Sequence, residues 1–158
     1  MNFLRGFLLI ISYFLIINTP CSQDNYKQYS DHSYQELDSL IEIALHVNKD
    51  LSSCILYTQA AREKARSEFN NEDSTFVLYT ANLGYFFSMT AEYDKALLLY
   101  TQAKDIREKV LGSDHHAYAQ MLQALADLYR TLGNYSKALS LYKQAKDIQK
   151  KTFGEYSH

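Results

Sequence analysis

The sequence predicts an all-α protein in which antiparallel pairs of helices are repeated along the chain. An apolar content of 47% with 22% charged residues is typical of a folded domain with a core. Only one proline occurs among 158 residues, so the region after Pro20 can form long uninterrupted helices. Two segments also match each other at an offset of 42 residues, a spacing found in stacked helical hairpins.

Residues 1–22 have the pattern of a secretory signal peptide. Arg5 supplies a short positive region, and an apolar run extends from Phe7 to Ile17. A membrane-spanning helix needs about 20 apolar residues, which is more than this run provides. We therefore expect the segment to be cleaved and the protein to be secreted or periplasmic. The alternatives are an uncleaved segment that anchors the protein in a membrane, and lipidation of Cys21.

The residues that follow predict a linker and then the first helix. Residues 23–33 are polar and lack a helical apolar stripe, which favours a linker. Ser33-Tyr34-Gln35-Glu36 has the form of a capping box, in which the serine hydroxyl and the glutamate carboxylate satisfy backbone N–H groups of the first turn. The apolar residues at helical spacing after this box are Leu37, Leu40, Ile41 and Ala44.

An internal repeat is the strongest signal in the chain. Residues 93–112 read YDKALLLYTQAKDIREKVLG, and residues 135–154 read YSKALSLYKQAKDIQKKTFG. The two segments are identical at 13 of 20 positions. Upstream of each, Leu83-Gly84 is echoed by Leu125-Ala126, again 42 residues later. This similarity predicts structural units that stack on one another.

Small residues at fixed positions indicate how two helices of one unit approach each other. Gly84 precedes Ala96 by 12 positions, and we expect these two residues to face each other across a close helix contact. Tyr100 and Ala103 lie on the same face of the second helix as Ala96, because they follow it by four and seven positions. The corresponding residues of the next unit are Ala126, Ala138, Tyr142 and Ala145.

This order of small and aromatic residues resembles the tetratricopeptide repeat, a helix-turn-helix unit that stacks into a solenoid. The 42-residue period and the segment IREKVLGSDHHAYA at 106–119 resemble the kinesin-light-chain-like branch of that family, in which a Gly-x-x-His loop joins units. We predict about three units, namely a divergent first repeat at 34–76, a second at 77–118 and a third at 119–158 that ends in the inter-repeat loop. Ser157 departs from the pattern, since the loop histidine is expected there.

Residues with catalytic or metal-binding potential do not form a recognisable site in the sequence. Cys54 is expected to be a small buried core residue, and adjacent His115 and His116 point in different directions and predict a loop. Gly112 precedes them where a helix should end in a left-handed conformation. The carboxylates Glu63, Glu68, Glu72 and Asp73 predict a solvated face. We therefore predict no enzyme, no metal site and no cofactor.

The family resemblance implies that the first helix of each unit lines a concave binding surface. The residues that we predict to contact a partner there are Leu78, Asn82, Tyr85, Met89, Gln120, Gln123, Asp127 and Arg130. Polar side chains at spacings of three and four can hydrogen-bond a peptide, and Tyr85 and Met89 add adaptable contact area. Simple hydration of this helix face is the alternative.

The predicted function is a scaffold that binds a protein or a peptide. A formal net charge of −2 gives no excess of positive charge for a nucleic-acid partner. Membrane contact is expected only through residues 1–22 if they are not cleaved. The alternative function is the N-terminal input region of a longer bacterial signalling protein or protease.

The end of the chain predicts a further contact. Terminal solenoid units normally need a polar capping helix, whereas the last helix carries the apolar residues Leu139, Tyr142 and Ile148. We expect part of this stripe to be exposed and to support self-association, unless a partner or a further repeat covers it. Lysines crowd the same helix and predict either a solvated face or a basic patch.

Overall fold

The computed structural model describes residues 25–154, and within that range every regular element is helical. A 3-10 helix precedes six α-helices, the first of which continues into a π-helix. In chain order the elements are the 3-10 helix Asn25–Tyr29, α1 Tyr34–Glu42, the π-helix Ile43–Asn48, α2 Leu51–Glu68, α3 Ser74–Met89, α4 Tyr93–Leu111, α5 His116–Thr131 and α6 Tyr135–Gly154. The all-α prediction is confirmed for this range, and the predicted signal peptide lies outside it.

The helices form three consecutive helix-turn-helix units. Each helix packs mainly against the helices that precede and follow it in the sequence, so α1 pairs with α2, α3 with α4, and α5 with α6. Contacts between α2 and α3, and between α4 and α5, join one unit to the next. The chain is therefore a short stack of helical hairpins, in which alternate helices occupy equivalent positions.

Side-chain caps determine where α1 and α3 begin. The predicted capping box is present, because the Ser33 backbone N–H donates to Glu36 Oε2 at 2.7 Å and the Glu36 backbone N–H donates to Ser33 Oγ at 3.2 Å. At α3, Asp73 Oδ1 accepts a hydrogen bond from the Thr75 backbone N–H at 2.7 Å. Asp73 thus starts the helix at Ser74, a few residues before the predicted repeat boundary.

The loop between α4 and α5 shows why its glycine and histidine are needed. Gly112 has φ 86° and ψ 161°, so its φ is positive, as expected, but its conformation is not the left-handed helical one. His115 Nδ1 accepts a hydrogen bond from the backbone N–H of Ala117 at 3.1 Å. The histidine therefore acts as the N-cap of α5, which is a structural role for its Nδ1 atom.

The segment predicted as a linker packs against the first unit. The aromatic rings of Tyr26 and Tyr29 contact a buried cluster on α1, α2 and α3, formed by Leu37, Ala60, Ala61 and Tyr79. The rings of Tyr29 and Tyr57 also meet edge to face, with centroids 5.0 Å apart. The linker prediction is wrong for residues 25–29, because two tyrosines in a single 3-10 turn cover apolar surface without producing a helical stripe.

The core is shared between units rather than confined to each. One buried cluster spans α2, α3, α4 and α5 and consists of Ala65, Phe76, Val77, Ala103 and Met121. A second joins Ala96 and Tyr100 of α4 to Leu125 and Leu128 of α5. Cys54 is fully buried beside Ala44 and Phe86, as predicted. Because these clusters cross the unit boundaries, adjacent units stabilise each other.

The close approach of α3 and α4 takes place at Gly84. A Cβ atom added at Gly84 would lie 3.0 Å from the Cδ1 and Cε1 atoms of Tyr100 and 3.4 Å from Leu99 Cβ. The Tyr100 ring and Leu99 are therefore the closest neighbours of the glycine on α4. Ala96 is fully buried, and the cluster to which it belongs includes Leu125 and Leu128 of the next unit.

Arg62 joins three helices through its guanidinium group. Its Nε donates to Thr80 Oγ1 of α3 at 3.0 Å, and its Nη2 donates to Gln102 Oε1 of α4 at 3.2 Å. Nη1 lies 2.8 Å from Glu63 Oε1, and the guanidinium carbon lies 4.7 Å from the centroid of the Phe76 ring. Burial lowers the pKa of Arg62, and the contact with Glu63 opposes this change. Arg62 thus fixes α2 against the second unit.

The three apolar residues predicted on α6 differ in their exposure. Leu139 is open to solvent and Tyr142 is half-buried, whereas Ile148 is buried against Tyr118 and Leu122. Part of the predicted set is exposed, as expected, but its members do not form one stripe, because residues nine positions apart on an α-helix lie on opposite sides. Leu139 and Ile148 therefore cannot share one exposed stripe.

Among residues 25–154, no helix has both the length and the apolar character that crossing a membrane requires.

Candidate functional site

The predicted residues of the second unit lie on one exposed stripe of α3. Leu78, Tyr85 and Met89 are each about half exposed, and Asn82 is exposed between them. The opposite side of α3 contains Phe76, Thr80 and Leu83, all of which are buried. The helix thus presents two large apolar side chains and one phenol to solvent, where a surface helix would ordinarily be polar.

The predicted residues of the third unit lie on the equivalent helix, α5. Gln120, Asp127 and Arg130 are exposed, and Gln123 is half-buried. Met121, Leu122 and Leu125 form the buried side of the same helix. This stripe is more polar than the stripe on α3.

A cleft of about 450 Å³ connects α3, α4 and α5. Its lining residues are Tyr85, Ser88, Tyr93, Tyr100, Ala124, Asp127, Leu128, Arg130 and Thr131. Of the predicted residues, the cleft brings together Tyr85, Asp127 and Arg130. Leu78, Asn82, Met89, Gln120 and Gln123 lie on the same two helices but do not line the cleft. We call this cleft the α3–α5 cleft, and it is the candidate functional site.

Tyr100 lies at the base of the cleft. Burial is the main cause that raises its pKa to about 12, and Tyr85 and Asp127 raise it further, whereas a hydrogen bond with Ser88 acts in the opposite direction. The phenol is therefore neutral at physiological pH. Sequence reasoning assigned Tyr100 to the core alone, although its position opposite Gly84 was a signal that its ring reaches across to the first helix.

The carboxylate of Asp127 organises the other side of the cleft. Tyr142 Oη of α6 donates to Asp127 Oδ1 at 2.5 Å, and Arg130 Nη2 lies 3.4 Å from the same oxygen. Hydrogen bonding to Tyr142 is the largest cause that raises the pKa of Arg130, and Asp127 adds to it. Asp127 and Arg130 thus place a carboxylate and a guanidinium beside three tyrosines, which gives the cleft both donors and acceptors.

A larger hollow of about 620 Å³ lies on the α4 side of the second unit. It is shallow and is lined by α4 and the loop before α3. Two of its polar side chains are already paired, since Lys109 contacts Glu72 and Gln102 accepts a hydrogen bond from Arg62. The α3–α5 cleft is the better candidate, because it combines side chains from three helices.

Groups with potential for covalent or metal chemistry have structural roles in the described part of the chain. Burial raises the pKa of the Cys54 thiol, which makes it a poor nucleophile. No group of three or more His, Cys, Asp or Glu residues within 25–154 could hold a metal ion. Three carboxylates of the acidic cluster form ion pairs: Glu63 with Arg62, Glu68 with Lys64, and Glu72 with Lys109.

Comparisons with known proteins agree with the geometry. The profile of the tetratricopeptide repeat family matches residues 74–151. Among solved structures, BtubC (BKLC) from P. vanneervenii is similar, with a TM-score of 0.67 and 18% sequence identity. The similarity covers 78% of this chain and 49% of that chain, so this chain spans about half the length of BtubC. At 18% identity the similarity shows a shared fold and nothing further. A search of curated proteins finds no match.

Proposed function

Because this chain is a tetratricopeptide-repeat protein with kinesin-light-chain-like spacing, we propose that it is a non-catalytic scaffold that binds a peptide segment of a partner protein along α3 and α5. Tetratricopeptide repeats generally mediate protein–protein interaction. The α3–α5 cleft is the proposed anchoring site for one bulky side chain of the partner.

The composition of the cleft is the observation that carries this proposal. Its volume of about 450 Å³ is large enough for a side chain that is otherwise exposed on a partner. Tyrosine and arginine are the residue types that most often dominate binding energy in protein interfaces, and Tyr85, Tyr93 and Arg130 all line this cleft. Tyrosine also orders at small entropic cost, because it has only two side-chain torsions.

Exposed side chains on α3 extend the site beyond the cleft. Leu78 and Met89 are each about half exposed on the stripe that contains Tyr85. Gln120 of α5 is exposed and can hydrogen-bond a peptide backbone. A peptide that crosses both helices would therefore meet apolar contacts on α3 and polar contacts on α5.

We propose that binding takes place outside the cytoplasm, because residues 1–22 have the pattern of a signal peptide. Mass spectrometry of the mature protein tests this point. A first residue between Cys21 and Gln23 is the expected result. An intact Met1 or a lipid on Cys21 would instead favour membrane anchoring.

Photo-crosslinking in the native host tests the proposed binding surface. A photoreactive phenylalanine analogue at Tyr85 or Gln120 should capture a discrete partner protein, because both positions lie on the proposed surface. The same analogue at Leu98, an exposed residue of α4, is the matched control and should capture much less of it. Equal capture at all three positions would contradict the proposal.

A further inference from the structure

The contact between α4 and α5 shows how the second helix of one unit receives the first helix of the next. Tyr93 and Leu97 of α4 pack against a cluster that includes Leu125 and Leu128 of α5. Lys104 of α4 lies near the other end of α5, with its Nζ 5.8 Å from the centroid of the Tyr118 ring. This contact combines apolar side chains at one end with a cation at the other.

The same side chains recur on α6, where no helix covers them within the described part of the chain. Tyr135, Leu139 and Lys146 follow Tyr93, Leu97 and Lys104 by the repeat length of 42 residues. Tyr93 and Leu97 are half-buried, whereas Tyr135 is 69% exposed and Leu139 is 55% exposed. We call Tyr135, Leu139 and Lys146 the tail face.

The opposite end of the stack carries a face that matches α5. The first unit aligns with the second at an offset of 43 residues, and the second aligns with the third at an offset of 42. In this alignment Leu40 is equivalent to Leu125, and Ile43 is equivalent to Leu128. The alignment is supported by burial, because it also makes Leu37 equivalent to Leu122, and both are buried. Leu40 is half-buried and Ile43 is 48% exposed. We call Leu40 and Ile43 the head face.

The helices at the two ends differ in charge. The sequence of α1, YQELDSLIE, contains three acidic residues and no basic one. Of these, Glu36 lies one turn before Leu40, whereas Asp38 accepts a hydrogen bond from Tyr79 and Glu42 lies beside His46. The sequence of α6 contains five lysines and one aspartate. Lys137 lies over the Tyr129 ring and Lys151 pairs with Asp114, so Lys143, Lys146 and Lys150 are the other three lysines of this helix. Charge complementarity of this kind steers two surfaces together and sets their orientation. It also opposes contact between two copies of α6, since like charges would face each other.

We propose that copies of this chain associate head to tail, with the tail face of one copy packed against the head face of the next. The contact would repeat the apolar part of the α4–α5 contact between two molecules. Lys146 would meet Ser33 in place of a ring, because Ser33 is the residue equivalent to Tyr118. It uses neither α3 nor the cleft, and so it stands apart from the proposed function. A contact between two different faces does not close on itself, and the product is an open chain of copies that grows with protein concentration.

Sedimentation velocity of the full chain and its variants tests this proposal. The wild-type chain should form species larger than a dimer as concentration rises. Leu139→Glu damages only the tail face, and Ile43→Lys damages only the head face. The dissociation constant for self-association should therefore rise about tenfold or more in each variant alone. Leu98→Glu is the matched control, because Leu98 is 70% exposed on α4 and lies outside both faces.

Mixing the two damaged variants is the decisive step. One variant keeps an intact head face and the other keeps an intact tail face, so an equimolar mixture should form a 1:1 dimer and nothing larger. Tyr135→Ala serves as a second tail-face variant if Leu139→Glu loses helicity by circular dichroism. A wild-type monomer, association that survives Leu139→Glu, a dimer of Ile43→Lys alone, or a mixture that stays monomeric would each overturn the proposal.

Discussion

The ring of Tyr100 lies directly against the backbone of Gly84, so that a Cβ atom at Gly84 would be 3.0 Å from two carbons of that ring. This contact sets the spacing between α3 and α4. It also places the Tyr100 phenol at the base of the α3–α5 cleft. One helix contact therefore supports both the fold of the second unit and the shape of the candidate site.

Replacing Gly84 should destabilise the protein. Gly84→Val would force the Tyr100 ring to move, and overpacking of this kind costs about 1–3 kcal/mol. Urea denaturation monitored by circular dichroism measures the loss. Asn82→Val is the matched control, because Asn82 is exposed on the same helix. An equal loss in both variants would show that helix propensity, and not the contact with Tyr100, is responsible.

Enlarging the buried alanines of the second helices should also reduce stability. Ala96 is fully buried and Ala138 is nearly so, so Ala96→Leu and Ala138→Leu should each cost about 1–3 kcal/mol. Gln123→Leu should cost little, because Gln123 is only half-buried on α5. Thermal melts of the three variants give the comparison. The reverse order would mean that the register of the repeats is wrong.

Arg62 should contribute more to the free energy of unfolding than Arg66, a neighbouring arginine of the same helix. The Arg62 side chain is 16% exposed and contacts two other helices, whereas the Arg66 side chain is 56% exposed and pairs with Glu63 of its own helix. Arg62→Met should cost about 1–3 kcal/mol, and Arg66→Met less than about 1 kcal/mol. Urea denaturation of both variants tests this, and equal losses would contradict a bridging role.

The capping box at α1 should make stability depend on pH in the acid range. Hydrogen bonds from the backbone and side chain of Ser33 lower the pKa of Glu36 below its usual 4.5. Because the pKa is lower in the folded state, this stabilisation is complete above the unfolded pKa and is lost as the pH falls through the folded one. In the variant Glu36→Gln, the part of the stability loss at low pH that comes from protonation of Glu36 should vanish. Denaturation of both proteins between neutral pH and about pH 3 measures it, and an unchanged dependence would contradict the assignment.

The sequence predicted those features that depend on local chemistry or on exact repetition. The capping box of Ser33 and the burial of Cys54 follow from neighbouring residues, and the three helical pairs follow from the repeat. Features that depend on which side chains meet across helices were harder to predict. The packing of Tyr26 and Tyr29 has no periodic signal, and the contact of Gly84 with the Tyr100 ring depends on the helix crossing.

The candidate site was predictable only in outline for the same reason. The family resemblance implied the exposed positions that include Tyr85, Asp127 and Arg130. It could not show that these three side chains share a cleft with Tyr100, because that depends on the tilt between α3 and α5. The hydrogen bond from Tyr142 to Asp127 likewise required the structure, since the sequence placed Tyr142 at the position equivalent to Tyr100 and in the apolar stripe of α6 but predicted no polar partner for it.

The central claim is that the α3–α5 cleft binds a peptide, and the affinity of a selected peptide for surface variants tests it most directly. A peptide that binds the wild-type chain is first selected from a random display library, and its dissociation constant is then measured by calorimetry. Tyr85→Ala and Arg130→Ala should each weaken binding about tenfold or more, because both side chains line the cleft. Leu98→Ala and Lys109→Ala, which alter the shallow hollow on α4, should leave the affinity unchanged. Unchanged affinity in the two cleft variants, together with a loss in the two α4 variants, would contradict the account.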